Sequence, residues 1–472
     1  MLERHFDVVF RRAGIAAVVL FAAGADAIVS AEERARAALG ADFAIKAFHH
    51  VVLEGAMPPL ADVDAWIFAE GRQGWVLPLS SAAIARTPDM SGTRRSLLKT
   101  GAAAIVIIGA GGAAWSLTRA PKRAREPWSK AGTSFGDARL DALAYAILAP
   151  NPHNMQPWRI RLDDVDALTV FCDPARLLPE TDPPCRQMTI GFGCFLELLS
   201  QAAAEKGLRA EVTPFPEGEP QPILDARPVA SVRFVPDTEV RPDPLFAAAL
   251  TRRTNRAAFS DRPVDETAYR RILAASVDGV VAAGSADVAM LATLKSLARD
   301  AWRIEWALDS TRRETLAVTR IGKAEIEAAP YGIMLGGAMI DALGALGVLT
   351  REKSDLPGES AYEQTLSFYE KSIDTAAAFV WTSTAANTRL DQLRAGRAWI
   401  RMQQAATLEG VAFHPLSQAL QEFPEMTPAY DRAHEMLAHA RGATVQMLSR
   451  LGYADAPPPA PREPLEAQLI RT

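Results

Sequence analysis

The sequence predicts an α+β fold made of two unequal tandem halves in one chain, set behind a long N-terminal region. Three observations carry this expectation. A proline-fixed polar loop, Ala149-Pro-Asn-Pro-His-Asn-Met-Gln-Pro-Trp158, opens the first half. An arginine-rich stretch, Arg252-Arg-Thr-Asn-Arg-Ala-Ala-Phe259, opens the second. Two helical segments, one in each half, repeat one another.

A chain of 472 residues has room for two or three domains, and 49% apolar with 23% charged residues is an ordinary globular mixture. The net charge of −5 supplies no basic field for nucleic acid. Cys172, Cys185 and Cys194 are too few for a disulfide framework and form no CxxC pair, so no metal site is expected.

Residues 1–89 read as an N-terminal extension. Ala13–Gly24 is apolar and Ala31–Leu39 has the look of a charged helix, but no motif assigns the segment a role. Residues 90–128 read as a signal or anchor followed by a basic linker. Thr93-Arg-Arg-Ser-Leu-Leu-Lys99 precedes an uncharged run over 101–117, and a pair of arginines ahead of a short apolar stretch resembles a twin-arginine export signal. Leu97 stands where such signals normally carry Phe, and no A-x-A cleavage site follows. The run of 17 residues is at the lower limit for a membrane span, so membrane association through 101–117 is expected. That places the protein in the periplasm or at the membrane, or in the cytoplasm if the signal does not work. Met90 then offers a second start. The competing reading of Ile105–Ala114 as a dinucleotide-binding turn fails. Pro121 and Pro127 break its helix, and Arg119, Lys122, Arg123 and Arg125 stand where its second strand belongs.

The first half is expected over 129–250 and the second over 251–454, with a Pro-rich tail at 455–472. In the repeat, Gly193 aligns with Gly396, Gln201-Ala-Ala203 with Gln404-Ala-Ala406, and Gly207 with Gly410. Phe195, Leu198, Leu199 and Ala202 share one helical face, and each helix meets a glycine suited to its C-terminal cap. Ile147-Leu-Ala149 is echoed by Ile272-Leu-Ala274, which ends a helix that Asp265 is placed to cap. The spacing between these echoes is longer in the second half, which implies an insertion at about 280–390 acting as a lid. The glycine-rich apolar run 331–349 lies inside it and is expected to be a buried helix or a flexible apolar flap.

Gly132-Thr-Ser-Phe-Gly136 spells a nucleophile elbow, but no strand precedes it and the hydrolase reading is dropped. His153 reads as a turn residue. Three prolines bar helix and central strand from the 149–158 loop, leaving its amides as rigid hydrogen-bonding groups and Trp158 as a core anchor.

The loop resembles the A-P-S-x-x-N-x-Q-P-W signature of the FMN-dependent nitroreductase superfamily, with Asn151 in place of Ser. The 252–259 stretch resembles that superfamily's R-R-S-x-R-x-F signature, with one extra residue before Phe. Ordinary members are homodimers that take one signature from each subunit. A single chain carrying both, with the ends 393–418 and 458–466, is similar to the Acg-like branch.

The resemblance implies an α+β nitroreductase-type fold in which two halves mimic a dimer around one FMN, as a monomer or loose dimer. It implies Arg252 and Thr254 on the phosphate, with Arg462 adding a contact. Forked guanidinium donors suit a phosphate dianion. Arg256 would face the pyrimidine edge, where reduction gathers negative charge. Asn154 and Gln156 would meet ribityl hydroxyls or ring carbonyls, and Gly410 to His414 would line another edge. NAD(P)H is the implied reductant and a small nitroaromatic or quinone the implied acceptor. A non-catalytic flavin store beneath a closed lid is the alternative.

Overall fold

The computed structural model describes residues 118–470. The extension, the arginine pair and the apolar run over 101–117 lie outside the described residues. Two compact units are present. The larger comprises Pro121–Gly336 and Leu346–Thr472, and the smaller takes in Gly337–Ala345. The larger unit begins upstream of the boundary expected at residue 129, because Trp128 packs into its core.

The first half runs α1 (Glu126–Lys130), α2 (Ala138–Ala146), β1 (Trp158–Leu162), β2 (Ala167–Cys172), α3 (Arg186–Ala204), β3 (Leu208–Pro214) and β4 (Pro228–Pro236). Its antiparallel sheet has the order β1-β2-β4-β3. The second half opens with α4 (Glu266–Ala274) and β5 (Val281–Ser285). An insertion follows, with α5 (Val288–Ala307), α6 (Asp309–Ala317), β6 (Thr319–Ile321), α7 (Gly322–Ala328), β7 (Ile333–Leu335), α8 (Ala338–Ala345), α9 (Arg351–Asp355) and α10 (Ser360–Asp374). The half then resumes with β8 (Ala378–Thr384), α11 (Arg389–Leu408), β9 (Ala412–Pro415), α12 (Thr427–Leu437) and β10 (Thr444–Gly452). Its sheet order is β5-β8-β10-β9, also antiparallel. Strand for strand, this is the first sheet again. Both halves also share a helix before the first strand and a long helix between the second and third. The α+β class and the tandem layout are those expected from the sequence.

Local chemistry explains the repeated helices. Asp137 and Asp265 accept backbone N–H groups at the starts of α2 and α4, and Thr388 with Asp391 forms a capping box on α11. At the other ends, Gly207 and Gly410 take φ of +68° and +67°, the left-handed region that favours glycine after a helix. Nearly every side chain of α3 is buried, which only a helix enclosed on all sides tolerates.

The aligned residues of the two halves meet. A Cβ on Gly193 would lie 2.9 Å from Gly396 Cα and overlap the Leu393 carbonyl; one on Gly396 would overlap the Ile190 carbonyl. Gln201 donates to Gln404 Oε1 at 3.1 Å, and Gln404 donates back to Gln201 Oε1 at 2.7 Å. Sequence echo has become a near-two-fold crossing of α3 on α11.

The apolar run 331–349 is not one buried helix. Gly332, Gly337 and Gly347 adopt left-handed φ and divide it into β7, α8 and turns. The insertion packs instead around stacked rings. Trp302 lies 5.3 Å from Trp306 and 4.4 Å from Tyr369, and Trp306 lies 5.5 Å from Tyr362. The insertion is latched to the first half by Glu314, which accepts from Glu180 N, Thr181 N and Thr181 Oγ1 at 2.6–2.9 Å.

Replacing Gly193 by Ala should lower stability by about 1–3 kcal/mol, the usual cost of overpacking, read from a denaturant midpoint. Gly207→Ala should cost less, because nothing opposes its Cβ and only the backbone is strained. Glu305 is buried in α5, and burial pushes its carboxyl up to about 7. The folded state therefore holds this proton up to about pH 7, whereas an ordinary Glu loses it near 4.5. Stability is lost as pH rises across that window. Glu305→Gln should raise the melting temperature at about pH 8 and change it little at about pH 5.

Candidate active site

The 149–158 loop is held in a conformation that its residues do not favour alone. His153, Asn154 and Gln156 have φ of +46°, +56° and +53°, three non-glycine residues in the left-handed region. Asn151 stitches the turn from inside, accepting from Gln156 N at 2.7 Å and donating to Ala149 O at 3.1 Å. Gly191 of α3 allows the close approach, since a Cβ there would be 3.0 Å from Asn151 Cβ.

Other segments hold the loop from outside. Asn154 donates to Pro461 O at 3.1 Å and its side-chain oxygen accepts from Arg462. Gly332 N donates to Asn154 O at 3.0 Å. Gln156 donates to Pro330 O at 2.8 Å and accepts from Glu463 N at 2.9 Å. The amides of Asn154 and Gln156 thus bind the loop to the tail and to the insertion. Trp158 is buried with its ring 5.1 Å from Phe195, the core anchor expected of it.

Arg252 and Arg462 converge where α2 ends. Arg462 donates to Ile147 O, Leu148 O, Ala149 O and Pro461 O at 2.9–3.1 Å, besides Asn154. All five of its N–H donors are engaged. Arg252 donates to Leu148 O and to Gln403 Oε1, while its Nε is buried without a partner. Arg252, Arg253 and Arg462 surround the Trp128 ring, with guanidinium carbons 5.6, 4.7 and 5.7 Å from its centroid. Burial lowers the proton affinity of all three. A neighbouring arginine lowers each one further: Arg253 acts on Arg252, Arg125 on Arg253, and both Arg252 and Arg253 on Arg462. Among the described residues none of the three forms an ion pair with a carboxylate. Arg125 Nε is likewise buried and unpartnered. The two Nε donors without partners sit in a positive cluster whose charge, among the described residues, is opposed by a carboxylate only at Arg125, from Glu327, and such donors fit a phosphate dianion.

The rest of the arginine signature runs beside β9. Thr254 bridges to Phe413, Asn255 N donates to Phe413 O at 3.0 Å, and Gln403 reaches Thr254 Oγ1 at 3.4 Å. Arg256 is exposed, and its positive charge acts on His153, His414 and Arg450 together. His414 is buried and its Nδ1 accepts from Arg450 Nε at 2.9 Å. The ring is therefore the neutral Nε2–H tautomer, and burial followed by the charges of Arg450 and Arg256 holds it well below the ordinary histidine range. Gly410 supplies the exposed turn that ends α11 and starts the strand bearing His414.

The structure thus gathers Asn154, Gln156, Arg252 and Arg462 into one network, and Thr254, Arg256 and His414 into the wall beside it. Sequence reasoning missed Arg450, whose guanidinium lies 3.7 Å over the Phe259 ring and donates to Ala257 O at 2.6 Å. Its signal was a lone arginine between Leu448 and Leu451 in an otherwise buried strand. Arg125 and Trp128 were hidden in what read as a linker. The insertion closes the wall through α10: Ser372 Oγ donates to Arg256 O at 2.9 Å, and Tyr369 lies 5.9 Å from His414.

No family model matches the chain. A Mycobacterium tuberculosis protein named "Putative NAD(P)H nitroreductase" is 29% identical over 346 residues, 71% of this chain and 92% of that protein. A second from the same organism, "Putative NAD(P)H nitroreductase acg", is 35% identical over 129 residues, 27% of this chain and 37% of that protein. The chain resembles a nitroreductase. Among solved structures, the FMN-dependent nitroreductase NfnB of Mycobacterium smegmatis, in complex with NADPH, overlaps 47% of this chain and 94% of its own at 17% identity. Its TM-score of 0.26 is too low to bear on the fold.

Arg462→Met should leave the carbonyls of Ile147, Leu148 and Ala149 without their shared donor. A loss of about 3 kcal/mol or more is expected, because hydrogen bonds from a charged group are worth about 1.5–3 kcal/mol each. Chemical denaturation of the wild type and the variant reads the difference.

Proposed function

We propose that this protein is an FMN-dependent oxidoreductase of the nitroreductase type, taking two electrons from NAD(P)H and passing them to a small nitroaromatic or quinone. The observation that carries the reading is the buried arginine group beside the strained loop, with two Nε donors left without partners. Arg252, Arg253 and Thr254 would hold the cofactor's phosphate, with Arg125 close by. Arg256 supplies positive charge toward the ring system, on the side where His153 and His414 stand. Asn154, Gln156 and Arg462 act one step back, holding the loop and the end of α2 in place. Bound FMN would supply the hydride chemistry, so the protein's task is to bind, orient and shield. The mycobacterial relatives named for NAD(P)H nitroreductase support the reductant.

One observation favours a second reading, a flavin store. The insertion is hydrogen-bonded to both signatures, through Pro330 and Gly332 to the loop and through Ser372 to Arg256. A reductase must open that closure to admit a nicotinamide; a store need not. Export by a twin-arginine route, with anchoring through 101–117, is part of the proposal and rests on the sequence alone. Among the described residues no helix is long and apolar enough to cross a membrane. Two halves of 129–250 and 251–454 around one cofactor would let a single chain suffice, as a monomer or loose dimer.

The test is an anaerobic visible spectrum of the purified protein after incubation with FMN, before and after NADPH or NADH. Retained flavin that bleaches with a nicotinamide is expected of a reductase. Retained flavin that bleaches only with dithionite points to storage. Arg252→Ala should weaken FMN binding at least tenfold while the circular dichroism spectrum is unchanged, the loss of one charged phosphate contact being worth about 1.5–3 kcal/mol. Absence of flavin from the wild type overturns the proposal.

A further inference from the structure

His153 is the residue of the strained loop that the reading above leaves without work. Its φ of +46° is one of three left-handed values within four positions. Backbone held in a sparsely populated region is retained where the surroundings over-determine it, commonly at functional sites. The ring makes no hydrogen bond among the described residues, and Nδ1 is sealed from solvent without a partner although the residue as a whole keeps some exposure. A ring nitrogen left in this state is costly unless a bound molecule satisfies it.

The groups around His153 are mostly cationic. The charge of Arg256, in the signature loop, acts on it, and burial followed by that charge pushes the imidazole down to about 4. On the backbone side, Arg176 donates to Met155 O at 3.1 Å and Arg462 to Asn154. The tail brings Glu463, already paired with Arg176 at 3.0 Å, and the insertion brings Tyr331, whose ring lies 3.3 Å from the Arg176 guanidinium. Among the described residues no carboxylate is a cause of the shift at the ring. His153 is therefore neutral until a negative charge arrives.

We propose that His153 hydrogen-bonds the cofactor's ring system and takes up a proton when that ring becomes anionic on reduction. The inference rests on the FMN reading above. NAD(P)H gives a hydride, two electrons and one proton, to the neutral ring, forming one N–H bond and leaving one negative charge. One H+ consumed from the buffer goes to the imidazole, so the products are NAD(P)+, a two-electron-reduced ring carrying one added proton and one negative charge, and imidazolium. In the following half-reaction hydride and proton pass to the acceptor, and His153 returns to its neutral form. The cation-rich wall opposes the imidazolium by itself, and the anionic ring offsets that opposition.

The experiment is a spectroelectrochemical titration of the FMN-loaded full chain over about pH 6–8, against His153→Asn. Asn tolerates left-handed φ and still hydrogen-bonds, but it cannot take a proton. The wild type should take up two protons per two electrons, and the variant one. A wild type that takes up one, or a variant that still takes up two, overturns the inference. Should the variant not retain FMN, nitrogen-15 NMR of the wild-type imidazoles decides. His153 should be neutral with oxidised FMN and protonated after dithionite, and a ring neutral in both states overturns the inference. If the wild type binds no FMN at all, it is the parent reading that fails.

Discussion

The crossing of α3 on α11 is the contact to which the rest of the structure is referred. Gly193 and Gly396 bring two backbones within a distance that no side chain allows, and the Gln201–Gln404 pair closes the same interface with reciprocal hydrogen bonds. Buried amides need partners, and here each supplies the other's, so the pair sets the register as well as the spacing. Arg401 and Arg397 add charge to this seam by pairing with Glu197 of α3, Arg397 at 2.9 Å and Arg401 at 2.7 Å. With the helices locked, both sheets and the segments at their edges have determined positions.

The candidate site inherits its geometry from that crossing. The loop 149–158 packs on α3 at Gly191, whereas the arginine signature packs on α11 through Gln403 and on β9 through Phe413. Signatures about a hundred residues apart therefore share one wall. The electrostatics follow from burial. Arg252, Arg253 and Arg462 crowd an indole ring with donors turned mostly toward carbonyl oxygens, and Arg450 holds His414 neutral by donating to it. Such a pocket is unfavourable in isolation and suited to an anion.

The insertion alters access without altering this frame. Its α10 docks on the signature through Ser372, and Thr375 Oγ1 accepts from Phe259 N at 2.9 Å. The turn at 330–332 docks on the loop. The insertion thus touches both halves of the wall, through two of its segments. Its Trp302 and Trp306 stack belongs to a second core shared with Phe379 and Trp381 of β8 and Leu448 of β10, with the buried Glu305 carboxyl as a point of pH sensitivity.

The repeat of glycine and glutamine positions, the caps at Asp265 and Gly410, and the proline lock on the 149–158 loop are local or periodic features, and they were legible in the sequence because each acts within a few residues. The same holds for the residue types of the site: arginines, a threonine and amides in two compact signatures. The partner of each polar group was not legible. Asn154 and Gln156 read as groups for a ligand, yet they bind the tail and the insertion; Arg462 read as a phosphate contact, yet its donors close the end of α2. Arg125, Trp128 and Arg450 enter the site from segments that carried no motif. A hydrogen bond spanning three hundred residues leaves no periodicity to read. The sequence by itself determined the two halves, their helices and the kinds of groups available; only the tertiary structure decided which of those groups satisfy one another and which, like His153 Nδ1, have no partner among the described residues.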